Sequence, residues 1–185
     1  MKLIKFRTKK FIRYKTIDST QLQAWRIVDY GKLKKTTIII SNLQTNGKGT
    51  HGRKWYTDEK NNIAFSIIIN TNCNIEKIKN ITVDIALLIV KIFKKLYNVQ
   101  LQIKDPNDLF LNEKKVGGIL VETRTCNEIV KYIVIGIGIN TNKQYFSKDI
   151  ENIATSIKKE TRIHINNNRI IKKFCRLFEK NINKK

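Results

Sequence analysis

Ile129-Val130-Lys131-Tyr132-Ile133-Val134-Ile135-Gly136-Ile137-Gly138-Ile139 is a strand-length run rich in β-branched residues, and it finishes in the polar Asn140-Thr141-Asn142. From Val134 onward large and small residues alternate, as on a strand packed against something on one face. Upstream lie Val99–Lys104, Leu109–Leu111 and Val116–Glu122, joined by turn-forming pieces such as Asp105-Pro106-Asn107-Asp108 and Asn112-Glu113. Connections this short predict a mainly antiparallel set. Further out, Ile78, Ile81, Ile85, Leu88, Ile89, Ile92 and Leu96 recur at spacings of three and four, which predicts an amphipathic helix within Ile75–Tyr97. Thr36–Ser41 and Ile63–Ile69 are short β-branched runs of the kind found in buried strands. Ser19 is an N-cap candidate for a helix reaching Tyr30, with Gly31 as its stop, and Leu3–Phe6 with Phe11–Tyr14 predict a short strand pair. Ile150–Lys158 and Asn167–Asn181 predict two C-terminal helices, the second with Ile170, Ile171, Phe174, Leu177 and Phe178 on one face. The order of elements gives an α+β fold, one mixed and mainly antiparallel sheet backed by helices.

At 185 residues and 41% apolar content the chain can bury a real core. A single proline and no Gly/Ser linker predict one domain over 1–185. The longest apolar runs are interrupted by charges and glycines, well short of the about 18 residues a membrane helix needs. The charged N-terminus has no apolar signal-peptide core, which points to the cytoplasm, where the three well-separated cysteines stay reduced. The net charge of +22 sits mostly at the two ends, with seven Lys/Arg and no acid in residues 1–15. That distribution is compatible with a solvated surface, an acidic protein partner, or a nucleic-acid module stacking bases on Phe6, Phe11 and Tyr14.

Three segments carry chemistry. Gln44-Thr45-Asn46-Gly47-Lys48-Gly49-Thr50-His51-Gly52-Arg53-Lys54-Trp55 lies in the longest expected loop, Asn42–Asn62. Its glycines let backbone N–H groups approach an anion, and Lys48, Arg53 and Lys54 add positive charge. It lacks the Gly-Lys-Ser/Thr ending of a Walker loop and does not lead into a helix. The second segment is Lys104-Asp105-Pro106-Asn107-Asp108-Leu109 with Lys114-Lys115-Val116-Gly117-Gly118-Ile119-Leu120-Val121-Glu122, read locally as a turn plus a strand bulged at its glycines. The third is Gly136-Ile137-Gly138-Ile139-Asn140, which by itself reads as a packed strand.

In order, the Ser19-Thr20 pair, the glycine loop ending in Arg53-Lys54-Trp55, Pro106-Asn107-Asp108-Leu109, Lys115-Val116-Gly117-Gly118-Ile119-Leu120-Val121-Glu122 and Gly136–Asn140 resemble the catalytic domain of biotin protein ligases. The resemblance runs from about Asp18 to Asn142. It implies the class II aminoacyl-tRNA synthetase-like fold of biotin and lipoate ligases. It also implies two-step chemistry, in which biotin and ATP with Mg2+ give biotinyl-adenylate and the acyl group then passes to a lysine of a biotin carboxyl carrier domain. Carried over residue by residue, it makes Lys115 the principal charge on carboxylate and phosphate, with Lys48 and Arg53 closing over the adenylate. Ser19, Thr20 and Gln44 would hold the ureido ring, Trp55 and Asn140 the adenine, and Asn107 and Asp108 the nucleotide and metal side, Asp108 also positioning the incoming lysine. Gly47, Gly49 and Gly117 would be backbone contacts, and no residue is assigned as a metal ligand.

The sequence departs from the family pattern at Thr50 and His51, where arginine is frequent, and at Asp105, where tryptophan commonly precedes Pro-Asn-Asp. Loss of the arginines removes donors that retain the adenylate, so easier escape of that intermediate is expected. Neither a winged helix before Asp18 nor a small β-barrel at the C-terminal end is expected, which argues against a repressor role. A membrane partner is not expected, nucleic acid is disfavoured because it leaves the coupled motifs unexplained, and a homodimer stays open. Lipoate protein ligase, sharing fold and chemistry, is the nearest alternative.

Overall fold

The computed structural model describes residues 9–31, 33 and 35–182. The first strand, β1 (Lys10–Ile17), leads through Ser19 into α1 (Thr20–Tyr30), where the Ser19 side chain accepts from the N–H groups of Gln21 and Leu22 and so caps the helix. Helix α1 crosses to β2 (Thr37–Gln44), which pairs parallel with β1. Phe11–Tyr14 therefore finds its partner in β2. Leu3–Phe6, expected to pair with it, lies outside the described residues. After β2 come a two-stranded hairpin of β3 (Gly47–Lys48) and β4 (Lys54–Trp55), then β5 (Asn62–Asn74), α2 (Ile81–Tyr97), β6 (Gln102–Lys104), β7 (Asp108–Leu111), β8 (Lys114–Cys126), β9 (Ile129–Asn140), α3 (Ile157–Thr161) and α4 (Asn167–Ile182).

Seven strands form one sheet in the order β1-β2-β5-β9-β8-β7-β6, and every pairing after the first is antiparallel. The fold is thus α+β with a mixed, mainly antiparallel sheet. Strand β5 is buried from Asn62 to Ile69 because both faces of the sheet are covered there. On one face, α2 and α4 pack over Ile133, Ile135, Ile137 and Ile139 of β9, with Phe65 meeting Phe174 edge-on at 5.7 Å between ring centroids. The other face carries α1, whose Ala24 and Val28 pack with Ile39, Ile68 and Val134. Gly136 and Gly138 share the phase of Val134, so beyond the end of α1's cover the sheet presents a strip without side chains.

Two expectations change. Asn42–Asn62 is not structureless: Gly47 pairs with Trp55 and Lys48 with Lys54, with a single 3-10 turn at Thr50–Gly52 between them. The helix expected over Ile150–Lys158 is reduced to α3, because backbone groups at 153–155 are spent on a strand instead. Lys115 N–H donates to Ile153 O and Thr155 N–H donates to Lys115 O, both at 2.9 Å. The helix starts only where Ser156 accepts from Lys159 N–H. Among the described residues no helix is long and apolar enough to cross a membrane.

Candidate active site

The bare strip is walled on one side by the start of α1. Thr20 N–H donates to Gln44 Oε1 at 2.8 Å, and the Thr20 hydroxyl lies 3.1 Å from the same oxygen. Ser66 Oγ sits 2.9 Å from Thr20 Oγ1 and 3.0 Å from Gln21 Oε1. Gln21 packs so closely on β9 that a Cβ at position 136 would stand 2.6 Å from its Oε1, so any side chain there would displace the glutamine amide. Ser19, Thr20, Gln21 and Ser66 are all buried, which makes this end of the cleft a small polar pocket in an otherwise closed wall.

The charged end is built by a bulge. In the β7–β8 ladder Leu109 faces Gly117 while Phe110 faces Lys115, so Val116 is the extra residue. One inserted residue inverts the side-chain phase, and Lys115 is brought to the same face as Gly118. Its Nζ reaches Asp108 Oδ2 at 2.7 Å, and Asn107 Nδ2 donates to Asp108 Oδ1 at 2.9 Å. Asp108 is only 9% exposed, so the lysine largely offsets its charge where solvent is scarce.

The β3–β4 hairpin lies across the cleft. Gly49 N–H donates to Arg53 O at 2.7 Å, His51 holds a left-handed backbone (φ 55°), and the Arg53 guanidinium makes only long contacts of 3.4 Å with the Thr50 carbonyl and hydroxyl. The hairpin delivers the Trp55 indole onto β9, where a Cβ at position 138 would lie 2.5 Å from its Cε2. Trp55 Nε1 is buried without a hydrogen-bond partner. The indole divides the cleft in two. Behind it is a slot of about 50 Å³ lined by Ser19, Thr20, Gln21, Gln44, Ser66, Gly118, Gly136 and Gly138 together with Lys48, Asn107 and Asp108. In front is a cavity of about 370 Å³ bounded by Arg53, Asn140, Lys143, Phe146, Asp149, Ile153 and Ala154. Gly49, Thr50, Trp55 and Lys115 line both. The Asn140 amide is committed to the fold, accepting from Asn62 Nδ2 and donating to Thr155 O, each at 3.1 Å.

Eleven of the thirteen residues singled out in the sequence border one cavity or both; Gly47 and Gly117 border neither. Gly47 lies under the Trp55 carbonyl, and Gly117 turns to the far side of the sheet, against Leu109. The glycine that faces the slot is Gly118, its neighbour. Sequence reasoning missed Gln21 and Ser66, and it read Gly136 and Gly138 as a packed strand within a motif shared with the family, without placing them at the site, although their alternation with isoleucine was the available signal. Among the described residues no group of three or more His, Cys, Asp or Glu side chains comes together. Chemically, the arrangement offers a polar-ended slot, a larger cavity, and one lysine at their junction beneath a basic glycine loop, which suits bringing two anionic groups together.

The biotin/lipoate A/B protein ligase family model matches residues 14–140. The chain is 32% identical over 166 residues to the bifunctional ligase/repressor BirA of Bacillus spizizenii, covering 89% of this chain and 51% of that protein. It is 30% identical over 171 residues to BirA of Bacillus subtilis, covering 91% and 52% respectively. A biotin protein ligase from Aquifex aeolicus, in complex with biotin and ATP, superposes with a TM-score of 0.77 at 25% identity, over 95% of this chain and 71% of that one. The chain spans about half the length of the curated relatives it matches.

Proposed function

Because this chain belongs to the biotin/lipoate A/B protein ligase family, we propose that it activates biotin with ATP and transfers the biotinyl group to a lysine of a biotin carboxyl carrier domain. The observation that carries this reading is Lys115, whose side chain borders both the slot and the larger cavity. In this reading the ureido ring occupies the polar end formed by Ser19, Thr20 and Gln44, and the valeryl carboxylate points toward Lys115. ATP occupies the larger cavity, with its adenine beside Trp55 and Asn140. A carboxylate oxygen attacks the α-phosphorus, a P–O bond forms, and pyrophosphate leaves. The amine of the acceptor lysine then attacks the acyl carbon, an amide forms, and AMP leaves.

Both steps concentrate negative charge where the two cavities meet, and a fixed ammonium there stabilises the transition state more than it would in water. Lys48 and Arg53, on the hairpin, neutralise phosphate oxygens and shield the mixed anhydride from hydrolysis. Asp108 holds Lys115 in place and lies close enough to orient the incoming lysine. Magnesium is carried chiefly by substrate phosphates with one or two carboxylates, and Asp149, which borders the larger cavity, would offer one, Asp108 being paired with Lys115. Bound there it would neutralise phosphate charge. The 50 Å³ slot is far below the about 300–1,000 Å³ usual for small-molecule sites, so binding of biotin displaces the Trp55 indole. The reduced cysteines fit a cytoplasmic setting.

Exchange of labelled pyrophosphate into ATP tests the first step without knowledge of the acceptor. Biotin should support exchange, and Lys115→Ala should lower it by about 10²-fold or more. Exchange with lipoate alone would move the protein to the sister activity, and silence with both acids would overturn the proposal.

A further inference from the structure

Helix α1 is attached to the sheet by one carboxylate that borders neither cavity. Glu122 lies on β8 in phase with Gly118 and Leu120 and opposite Val134 of β9, so its side chain rises on the α1 face. Its Oε2 accepts from Gln21 Nε2 at 2.8 Å and from Trp25 Nε1 at 2.6 Å. Gln21 and Trp25 are four residues apart, so the two donors leave the same side of the helix one turn apart. Trp25 is held from its other side by the Arg124 guanidinium, 4.9 Å from the ring centroid, and Arg124 in turn pairs with Asp29.

The carboxylate does more than hold the helix. An ionised carboxylate only accepts, so the Gln21 amide must present its NH₂ to Glu122 and its Oε1 toward Ser66. The contact of Gln21 Oε1 with Ser66 Oγ, 3.0 Å, then takes the serine proton, and Ser66 Oγ lies 2.9 Å from Thr20 Oγ1. The Thr20 hydroxyl in turn lies 3.1 Å from Gln44 Oε1. A relay of four side chains, Glu122, Gln21, Ser66 and Thr20, thus runs to the polar end of the slot, and its direction is set where the Gln21 NH₂ meets Glu122, with Val134 O a second and longer acceptor at 3.4 Å.

We propose that Glu122 is a positioning residue for the ureido-binding end of the slot, acting through Gln21 and Ser66 to set which groups there donate and which accept. The inference rests on the biotin reading above. It requires an acceptor at position 122 that both Gln21 and Trp25 can reach. A leucine there accepts from neither donor, so the Gln21 amide loses the partner that holds its NH₂ toward β8.

Pyrophosphate exchange by the full chain separates the outcomes, with biotin varied at saturating ATP and ATP varied at saturating biotin. Glu122→Leu should raise KM for biotin roughly tenfold, the scale of one lost hydrogen bond to a charged group. KM for ATP and kcat should stay within about twofold, since the effect is confined to one end of the slot. In a Gln21→Leu background, where no amide can flip, Glu122→Leu should add little further change in KM for biotin. A purely structural role would instead lower the active fraction and leave both KM values alone. An active wild type whose Glu122→Leu variant keeps its KM for biotin, or raises both KM values equally, overturns this inference alone. A wild type silent with biotin overturns the biotin reading and this inference with it.

Discussion

Thr50 borders both cavities; its carbonyl accepts the Arg53 backbone N–H at 3.1 Å, while its hydroxyl has only a long contact of 3.4 Å with the Arg53 guanidinium. A threonine at that point offers one short hydroxyl where an arginine would offer a five-donor fork to the phosphate of an adenylate. Thr50→Arg should therefore slow release of biotinyl-adenylate by about 10- to 100-fold, the range of one or two charge-assisted hydrogen bonds. Following labelled adenylate through rapid filtration of enzyme and intermediate checks it, and equal retention by both proteins contradicts it. At this scale charge was the most readable quality of the sequence. Lys115 and Asp108, though, were reached through the resemblance of their segments to the family, since read locally those segments are a turn and a bulged strand. Gly117 and Gly118 could not be told apart, because which of two adjacent glycines faces a ligand depends on strand phase, and the bulge at Val116 changes that phase.

The β3–β4 hairpin is the element on which ligand binding turns. It places an indole against Gly138 with its N–H buried and unpartnered, a donor whose desolvation is uncompensated until the ring moves or a ligand acceptor arrives. Biotin should shift the Trp55 emission, and in a Trp25→Phe background that signal is the only tryptophan response. A spectrum unchanged at biotin concentrations that saturate exchange would show that the indole stays in place. Helix α1 and the central strands were legible from capping and periodicity, both local properties. The segment before α3 was not. Its apolar residues suggested a helix, but Lys115 supplies backbone partners at Ile153 and Thr155 from 38 to 40 residues away in sequence, and no local pattern encodes that pairing.

For the molecule as a whole, the two-sided core sets which thiols can react. Cys73 and Cys175 are buried and Cys126 is exposed, and burial is the main cause that pushes the Cys175 thiol from 9.0 up to about 11. Because the thiolate is the reactive form, a thiol reagent at pH 8 should modify Cys126 rapidly and the other two only after denaturation. A folded-state pKa above the unfolded one means that the stabilisation is complete below about pH 9 and is lost as pH rises through about 11. Thermal melts over that window should fall more steeply for the wild type than for Cys175→Ala. Equal slopes would show that the buried thiol does not contribute.

The sequence by itself determined α1, α2, α4, the central strands and the α+β class, since periodicity and caps are written locally, and its motifs pointed to the cleft residues through their resemblance to the family. Only the tertiary structure decided which face each strand turns to the cleft, that Trp55 parts it into a slot and a larger cavity, and that Glu122 reaches the slot through Gln21 and Ser66. These depend on a bulge, a hairpin laid across a bare glycine strip, and hydrogen bonds spanning as many as 113 residues. Long-range contacts of that kind are fixed by packing between elements, and packing leaves no signature in the order of neighbouring residues.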